Sequence, residues 1–300
     1  MERRGKRGMK DRFEVVGIQQ MPCIEAPKKE KWYRGRPVFA AVLLGLIVAG
    51  CLACSLFVTK DPAYLDLRNC NVPPCREFLF GTDSLGRDIF SMIWYGGRIS
   101  LFIGITSAVF SMVIAIVVGA VSASAPAWAD ALLMRLTEIL FSVPGLLLVI
   151  LMQAALGEAS VLSISFVIGI TGWTAMAKVV RTEVLQLRSS GYVIASKCMG
   201  GSFFHILWQH LVPGFLPSVM FMAVMNIRSA MITEATLSFM GIGLPVEVIS
   251  WGSMLSLAEG AVFTNFWWML LFPGAFLVVT LLCITRIGDA LCRNERNNIS

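Results

Sequence analysis

Residues 37–58 run for 22 positions without a charged side chain. Five further apolar stretches follow, at about 99–123, 139–156, 161–177, 214–236 and 266–285. A helix needs roughly 20 apolar residues to cross the hydrocarbon core of a bilayer. The chain is therefore expected to be an all-α integral membrane protein with six transmembrane helices, the third beginning earlier, near Leu132. Charged residues make up 15% of its 300 positions, against about 25% in soluble domains. The spacing of the stretches leaves no room for a separate soluble domain. The first stretch lies 36 residues in and is not closed by a small-x-small cleavage pattern. It reads as a retained helix, not a signal peptide.

Basic residues orient the chain. Residues 1–36 hold 11 Lys and Arg, residues 178–197 hold four, and the tail adds Arg286, Arg293 and Arg296. Residues 237–265 hold none. The positive-inside rule puts the N-terminal arm (1–36), the loop 178–213 and the tail (286–300) in the cytoplasm. The segment 59–98, with five basic and five acidic residues, and the loop 237–265 then lie outside, flanking a core at 99–285. The net charge of +6 is placed for this topology and for membrane lipid, and it gives no indication of nucleic acid. Cys70 and Cys75 sit outside in the stretch CNVPPC. An oxidising compartment permits a bridge, and two free thiols fit as well. Cys51, Cys54 and Cys283 lie in apolar runs and read as small packing residues.

The polar exception is GYVIASKCMGGSFFHILWQHLVPG, residues 191–214. Apolar positions 193, 194, 199, 203, 204, 207, 208 and 211 intermix with Lys197, Ser202, His205, Gln209 and His210. The pattern suits helix, and Gly200-Gly201 divides it into two short helices, since glycine supplies permissive backbone at helix ends. Such a pair either lies in the headgroups or docks a soluble partner. The histidines, five apart and about 140° around a helix, do not form a joint metal site. Residues 84–94 read as a short helix, with Gly96-Gly97 before the second span, and Asp83 can cap it. Pro144-Gly145 is expected to loosen the third helix locally, and Gly241, Gly243 and Pro245 point to a re-entrant or folded loop.

Ile194-Ala195-Ser196, Gly200 and Val212-Pro213 resemble the EAA loop of ABC importer permeases: Glu-Ala-Ala, three residues, Gly, then an apolar-Pro end. Ile194 departs from the pattern, which has glutamate there. FGTDSLGRDIFSMIWYGGRISL (80–101) is similar to the signature of the dipeptide/oligopeptide/nickel permease family. ITEATLSFMGIG…SWGSML (232–255) resembles that family's segment after the EAA loop. The resemblance covers about 37–290 and is nearest the second permease subunit of the pair. It implies the type I importer permease fold and a heterodimer with a homologous second permease. It also implies two cytoplasmic ATPase subunits that bind ATP and Mg, and an extracytoplasmic solute-binding protein, in a bacterial or archaeal plasma membrane. The EAA loop then supplies the coupling helix, through Ile194, Ala195, Ser196, Gly200, Gly201, Val212 and Pro213.

No phosphate loop GxxxxGK[ST] occurs, so this chain is expected to be a non-catalytic subunit without a cofactor or metal of its own. Gly81, Thr82, Asp83, Gly86, Arg87 and Asp88 form the external motif. They are expected to fix the external segment over the second helix, with a substrate role left open. Asn226, Arg228 and Glu234 lie in the fifth stretch. Ionisable groups at membrane depth face the protein interior or a water-filled path, so these three line the pathway or are structural. For Arg228 the structural alternative is a pair with Glu138, Glu234 or the partner. Lys178 and Arg181 are expected to snorkel to the cytoplasmic headgroups. Peptides are the expected cargo, nickel or a nickel chelate the alternative. An ion-coupled secondary transporter is the alternative of another class, although the internal repeat of such folds is not visible.

Overall fold

The structure is a computed structural model and describes residues 38–57, 61–62, 64–200, 202–245, 247–260 and 265–299. The expected N-terminal arm (1–36) and Gly201 lie outside the described residues. Twelve helices follow in order: α1 Val38–Leu52, α2 Cys54–Phe57, α3 Ile89–Ser124, α4 Ala127–Ser142, α5 Gly145–Leu156, α6 Val161–Gly172, α7 Thr174–Arg188, α8 Gly191–Cys198, α9 Phe203–Ile206, α10 Val212–Phe239, α11 Trp251–Leu257 and α12 Trp268–Ile299. A π-helical turn, Leu207–Leu211, joins α9 to α10.

Three of these helices, α3, α10 and α12, are each long and apolar enough to cross a bilayer. The pairs α4–α5 and α6–α7 bring the number to five if each bent pair is one crossing. The expected first span takes the form of a 15-residue helix, roughly 22 Å long at 1.5 Å per residue, interrupted at Ala53 before α2. The chain is thus an all-α membrane protein with three to five candidate crossings.

The bends depart from the expected straight spans. Between α4 and α5 the axis turns by 93°. Pro144 lacks an N–H donor and pushes the preceding residue out of helical geometry, and Val143 is extended, at φ −81° and ψ 133°. The break is complete, where only a local loosening was expected. Between α6 and α7 the axis turns by 46° at Trp173, with no proline to announce it.

The longest helix, α3, begins at Ile89, not near Ser84, and passes straight through Gly96-Gly97. Those glycines mark close approach. A Cβ on Gly96 would lie 3.2 Å from the Ser250 backbone, and one on Gly97 2.7 Å from the Trp251 ring. Small buried residues continue along the same helix as Ser100, Gly104, Ser107, Ser111, Ala115, Gly119 and Ser122. Their spacing of three or four residues keeps them on one side. Against α3 pack α1, α4, α6, α7, α10, α11 and α12.

Three apolar clusters surround it. Ile47, Ile93, Met231, Trp251 and Leu277 join α1, α3, α10, α11 and α12. Ile103, Val149, Ile164, Val167 and Leu237 join α3, α5, α6 and α10. Ala115, Val180, Val184, Val193 and Phe215 join α3, α7, α8 and α10. Dispersion across such close contacts, not hydrophobic exclusion, drives helix association in lipid.

A leucine at Gly119 would drive its Cβ to 2.7 Å from the Ala177 carbonyl oxygen, an overpacking that costs about 1–3 kcal/mol. Gly45 has nothing within 4 Å of its added Cβ. In detergent, thermal unfolding should show Gly119→Leu clearly destabilised and Gly45→Leu near wild type.

Candidate functional site

At the start of α3 the 81–88 motif folds into a hydrogen-bonded turn. The Asp83 carboxylate accepts N–H bonds from Leu85 (2.9 Å) and Arg87 (2.8 Å), and the Arg87 Nε at 2.7 Å. Thr82 Oγ1 donates to Asn69 O (2.6 Å) and accepts from Val72 N–H (2.8 Å). Trp268 Nε1 donates to Thr82 O, tying the turn to α12. Gly81 and Gly86 hold φ of 80° and 77°, a region that β-carbon sterics close to most residues. The N-cap of α3 is Asp88, whose carboxylate accepts Ser91 N–H at 3.0 Å. Asp83 therefore caps a turn and not a helix. Cys70 and Cys75 are free thiols here. The Cys70 thiol donates to Leu67 O, and Cys75 Sγ accepts from Phe78 N–H.

Further along, Glu234 of α10 is fully buried. Its carboxylate accepts hydroxyls from Ser250 (2.7 Å), Ser238 (3.0 Å) and Ser100 (3.3 Å). Ser250 is the N-cap of α11 and forms a capping box with Ser253. Trp251 N–H donates to Ser100 Oγ, and its indole N–H to Ile93 O at 2.8 Å. Gly252 permits this seat, since a Cβ there would lie 2.6 Å from Ala235 Cα. One carboxylate thus joins α3, α10 and α11. Each lone pair used takes a hydroxyl, which offsets the cost of burying the group. Within the loop expected to be re-entrant or folded, the described residues form α11 seated against α3 and α10.

At the other end of α3 lies the 191–213 segment. Val193, Ile206 and Leu211 are buried against α3, α7 and α10. Ser196 is buried also, while Ile194 (49% exposed), Met199 (82%) and Trp208 (69%) face outward. Ala195, Gly200 and Pro213 are exposed, and Val212 is half-buried. Gly200 has φ 83° and open space around its added Cβ. The glycine turn between two short helices is present, but α9 continues through the π turn into α10 and is not a separate element.

Polar contacts link the helix ends there. Arg181 of α7 forms a two-point ion pair with Asp130 of α4, its Nε 2.7 Å from Oδ1. Asp130 also accepts from Ser122 Oγ, Arg188 Nη1 donates to Ala123 O, and Ser218 Oγ donates to Glu183 at 3.0 Å. Arg181, expected at the cytoplasmic headgroups, is thus held by an acid on a neighbouring helix. Lys178 lies with its Nζ 5.0 Å from the Phe141 ring centroid. The Asp130–Arg181 pair spans 51 positions, and nothing in the sequence signals it.

Asn226 of α10 lines a cavity of about 250 Å³ between α3, α5, α6 and α10. With Ser229, Ala230 and Thr233, which line it too, it occupies one side of α10. Arg228 is about 200° around the helix from Asn226, so the two expected pathway residues do not share a face. The Arg228 Nε is buried without a hydrogen-bond partner. Glu138 pairs with Arg135 and Glu234 with serines, so neither is its partner. Among the described residues no three or more His, Cys, Asp or Glu side chains gather as metal ligands.

Together these features define an all-α membrane protein with three to five candidate crossings and an exposed apolar segment at one end of α3. Residues 115–296 match the family described as "Binding-protein-dependent transport system inner membrane component", and the chain belongs to that family. It is 37% identical to the oligopeptide transport system permease protein OppC of Bacillus subtilis (strain 168), over 83% of this chain and 81% of that protein. It is 36% identical to the dipeptide transport system permease protein DppC of the same organism, over 74% of this chain and 69% of that one. A putative peptide transport system permease protein of Brucella abortus biovar 1 (strain 9-941) is 35% identical over 93% of each chain. At the level of the family, the chain is a peptide or oligopeptide ABC transporter permease.

A double-mutant cycle with Asp130→Asn and Arg181→Met should return a coupling energy of about 1 kcal/mol in thermal unfolding. That value belongs to a two-point but still part-exposed pair.

Proposed function

We propose that the chain is the second permease subunit of an ATP-driven importer of dipeptides or oligopeptides, paired with a homologous first permease to form half of the pathway. Two cytoplasmic ATPases power it and an extracytoplasmic binding protein delivers the cargo. The observation that carries this reading is the peptide cargo in the names of relatives that align over most of the chain. The peptide alternative is preferred to nickel on the same ground. The ion-coupled transporter is set aside, because the family is binding-protein-dependent.

The 191–213 segment is the proposed ATPase dock. Ile194, Met199 and Trp208 form its uncovered apolar surface, and Gly200 sets the turn that presents it. Where the general pattern has glutamate, Ile194 offers apolar contact, so the joint is held by packing and not by an ion pair. Ala195 and Ser196 are small enough for close approach, and Val212-Pro213, with Gly201, complete the motif. The dock faces the cytoplasm with the tail, and the 61–88 segment faces the binding protein. No catalytic group is needed for this role. ATPase closure moves the dock, and the linked ends of α3, α4, α7 and α10 carry that motion to the pathway as rigid-body gating. Asn226 belongs to the pathway side, and the external motif and Glu234 to the frame.

A β-carbon at Gly200 costs roughly 1–2 kcal/mol in its left-handed backbone. Gly200→Val should insert normally yet co-purify poorly with the ATPases and lose substrate-stimulated ATP hydrolysis. Normal values of both would overturn the dock. Cells with the gene should take up labelled dipeptide, and deletion should abolish that uptake. Nickel uptake that depends on the gene, without peptide uptake, would reject the cargo.

A further inference from the structure

Four of the hydroxyls around the Asn226 cavity have given their protons to backbone carbonyls. Ser107 Oγ donates to Ser165 O (3.0 Å) and Ser111 Oγ to Gly169 O (2.7 Å). Thr171 Oγ1 donates to Val167 O (3.0 Å) and Thr233 Oγ1 to Ser229 O (2.9 Å). Asn226 Nδ2 donates one of its two N–H groups to Gly172 O at 3.4 Å, and its Oδ1 is a further acceptor. A hydroxyl that donates once still holds acceptor lone pairs. The polar part of the wall is therefore richer in neutral acceptor oxygens than in donors, which are the Ser229 hydroxyl and the second Asn226 N–H, and none of the described lining residues is ionisable. Ser229 is exposed on the flank of α10, so the cavity opens on the side of α10 that Asn226 and Thr233 also occupy.

Such a wall is selective in its chemistry. A carboxylate brings only acceptors and would find few donors there. A primary ammonium brings three donors and no acceptor, and hydrogen bonds from a charged donor are about twice as strong as neutral ones. The volume, about 250 Å³, leaves space for a short organic group with its side chain and not merely for an ion. We propose that this cavity receives a primary ammonium group of the peptide cargo during passage, with Asn226 as a specificity-determining residue. The proposal rests on the peptide-permease reading and adds the group that the permease itself reads.

The test uses the whole transporter in proteoliposomes, with the binding protein saturated by each cargo. The cargoes are dialanine, N-acetyl-dialanine and N-acetyl-lysylalanine. The readout is uptake of each acetylated peptide as a fraction of dialanine uptake. Because the binding protein is the same throughout, its own preference cancels between variants. Asn226→Leu keeps a similar volume and removes the acceptor. It should lower dialanine uptake about tenfold, as for loss of a charge-assisted hydrogen bond, and leave N-acetyl-dialanine unchanged, so that fraction rises about tenfold. Asn226→Asp keeps the acceptor oxygens and should retain the wild-type preference. Retained uptake of N-acetyl-lysylalanine identifies a side-chain ammonium as sufficient, and its loss assigns the site to the α-ammonium.

Should Asn226→Leu fail to co-purify with its partners, Gly145→Leu decides. Gly145 lines the cavity and its added Cβ meets nothing within 4 Å, so a leucine there adds bulk at the cavity wall without a clash, and the same rise is expected. An equal loss for both alanine peptides, leaving the fraction unchanged, would overturn the ammonium site while the peptide reading stands. Wild-type transporter that moves none of the peptides would overturn both.

Discussion

Everything in this fold depends on how closely other helices can approach α3. Its buried side from Gly96 to Ser122 carries glycine, serine and alanine at intervals of three or four residues. Backbones come near enough there for serine hydroxyls to bond carbonyls of α6, as Ser107 and Ser111 do. In lipid there is little hydrophobic gain in bringing two apolar helices together, so packing and interhelical hydrogen bonds must supply the association energy. A single large side chain on that stripe would hold a neighbour off over a full turn.

Three polar features lie along that helix at different levels. Near its start, Glu234 gathers Ser100, Ser238 and Ser250 and seats α11 between α3 and α10. At mid-length, Ser107 and Ser111 contribute to the acceptor-lined cavity. At its end, Ser122 and Ala123 meet Asp130 and Arg188, and Val193 brings the 191–213 segment into the same apolar cluster. Hydrogen-bonded and close-packed contacts thus link that segment to α3, α7 and α10. The bend at Pro144 sits outside this group, at the junction of α4 and α5.

Much of this was legible from hydropathy. The stretch read as 214–236 lies within α10, Val212–Phe239, and the one read as 266–285 overlaps the first half of α12, Trp268–Ile299. Apolar length is a local property, so it survives folding. The angles were not legible. Pro144 tells where a hydrogen-bond ladder breaks, whereas the 93° turn is set by what α4 and α5 pack against. Gly96-Gly97 was misread as a break because glycine has two uses, and only the Trp251 ring resting on it reveals close approach. The partners of Glu234 sit at 100, 238 and 250, and the partner of Arg181 at 130. Ser238 is a helical neighbour four residues on, whereas the separations to Ser100, Ser250 and Asp130 carry no periodic signal. Asn226 and Arg228 looked like a pair by proximity in sequence, and the helical turn puts them on different faces.

The account makes the chain a stiff transmitter, with its motion taken up against the partner permease and not within itself. Paired spin labels test this directly, one at each end of the α3 group. Met199→Cys and Leu79→Cys place labels on exposed residues at the two ends, in a chain with Cys23, Cys70, Cys75, Cys198 and Cys292 changed to serine. Distances are measured in the assembled transporter with and without trapped ATP. The account predicts an intrachain distance constant to about 2 Å while the distance from Met199 to the partner permease shifts by several ångströms, as in rigid-body gating. An intrachain change as large as the one between subunits would contradict it.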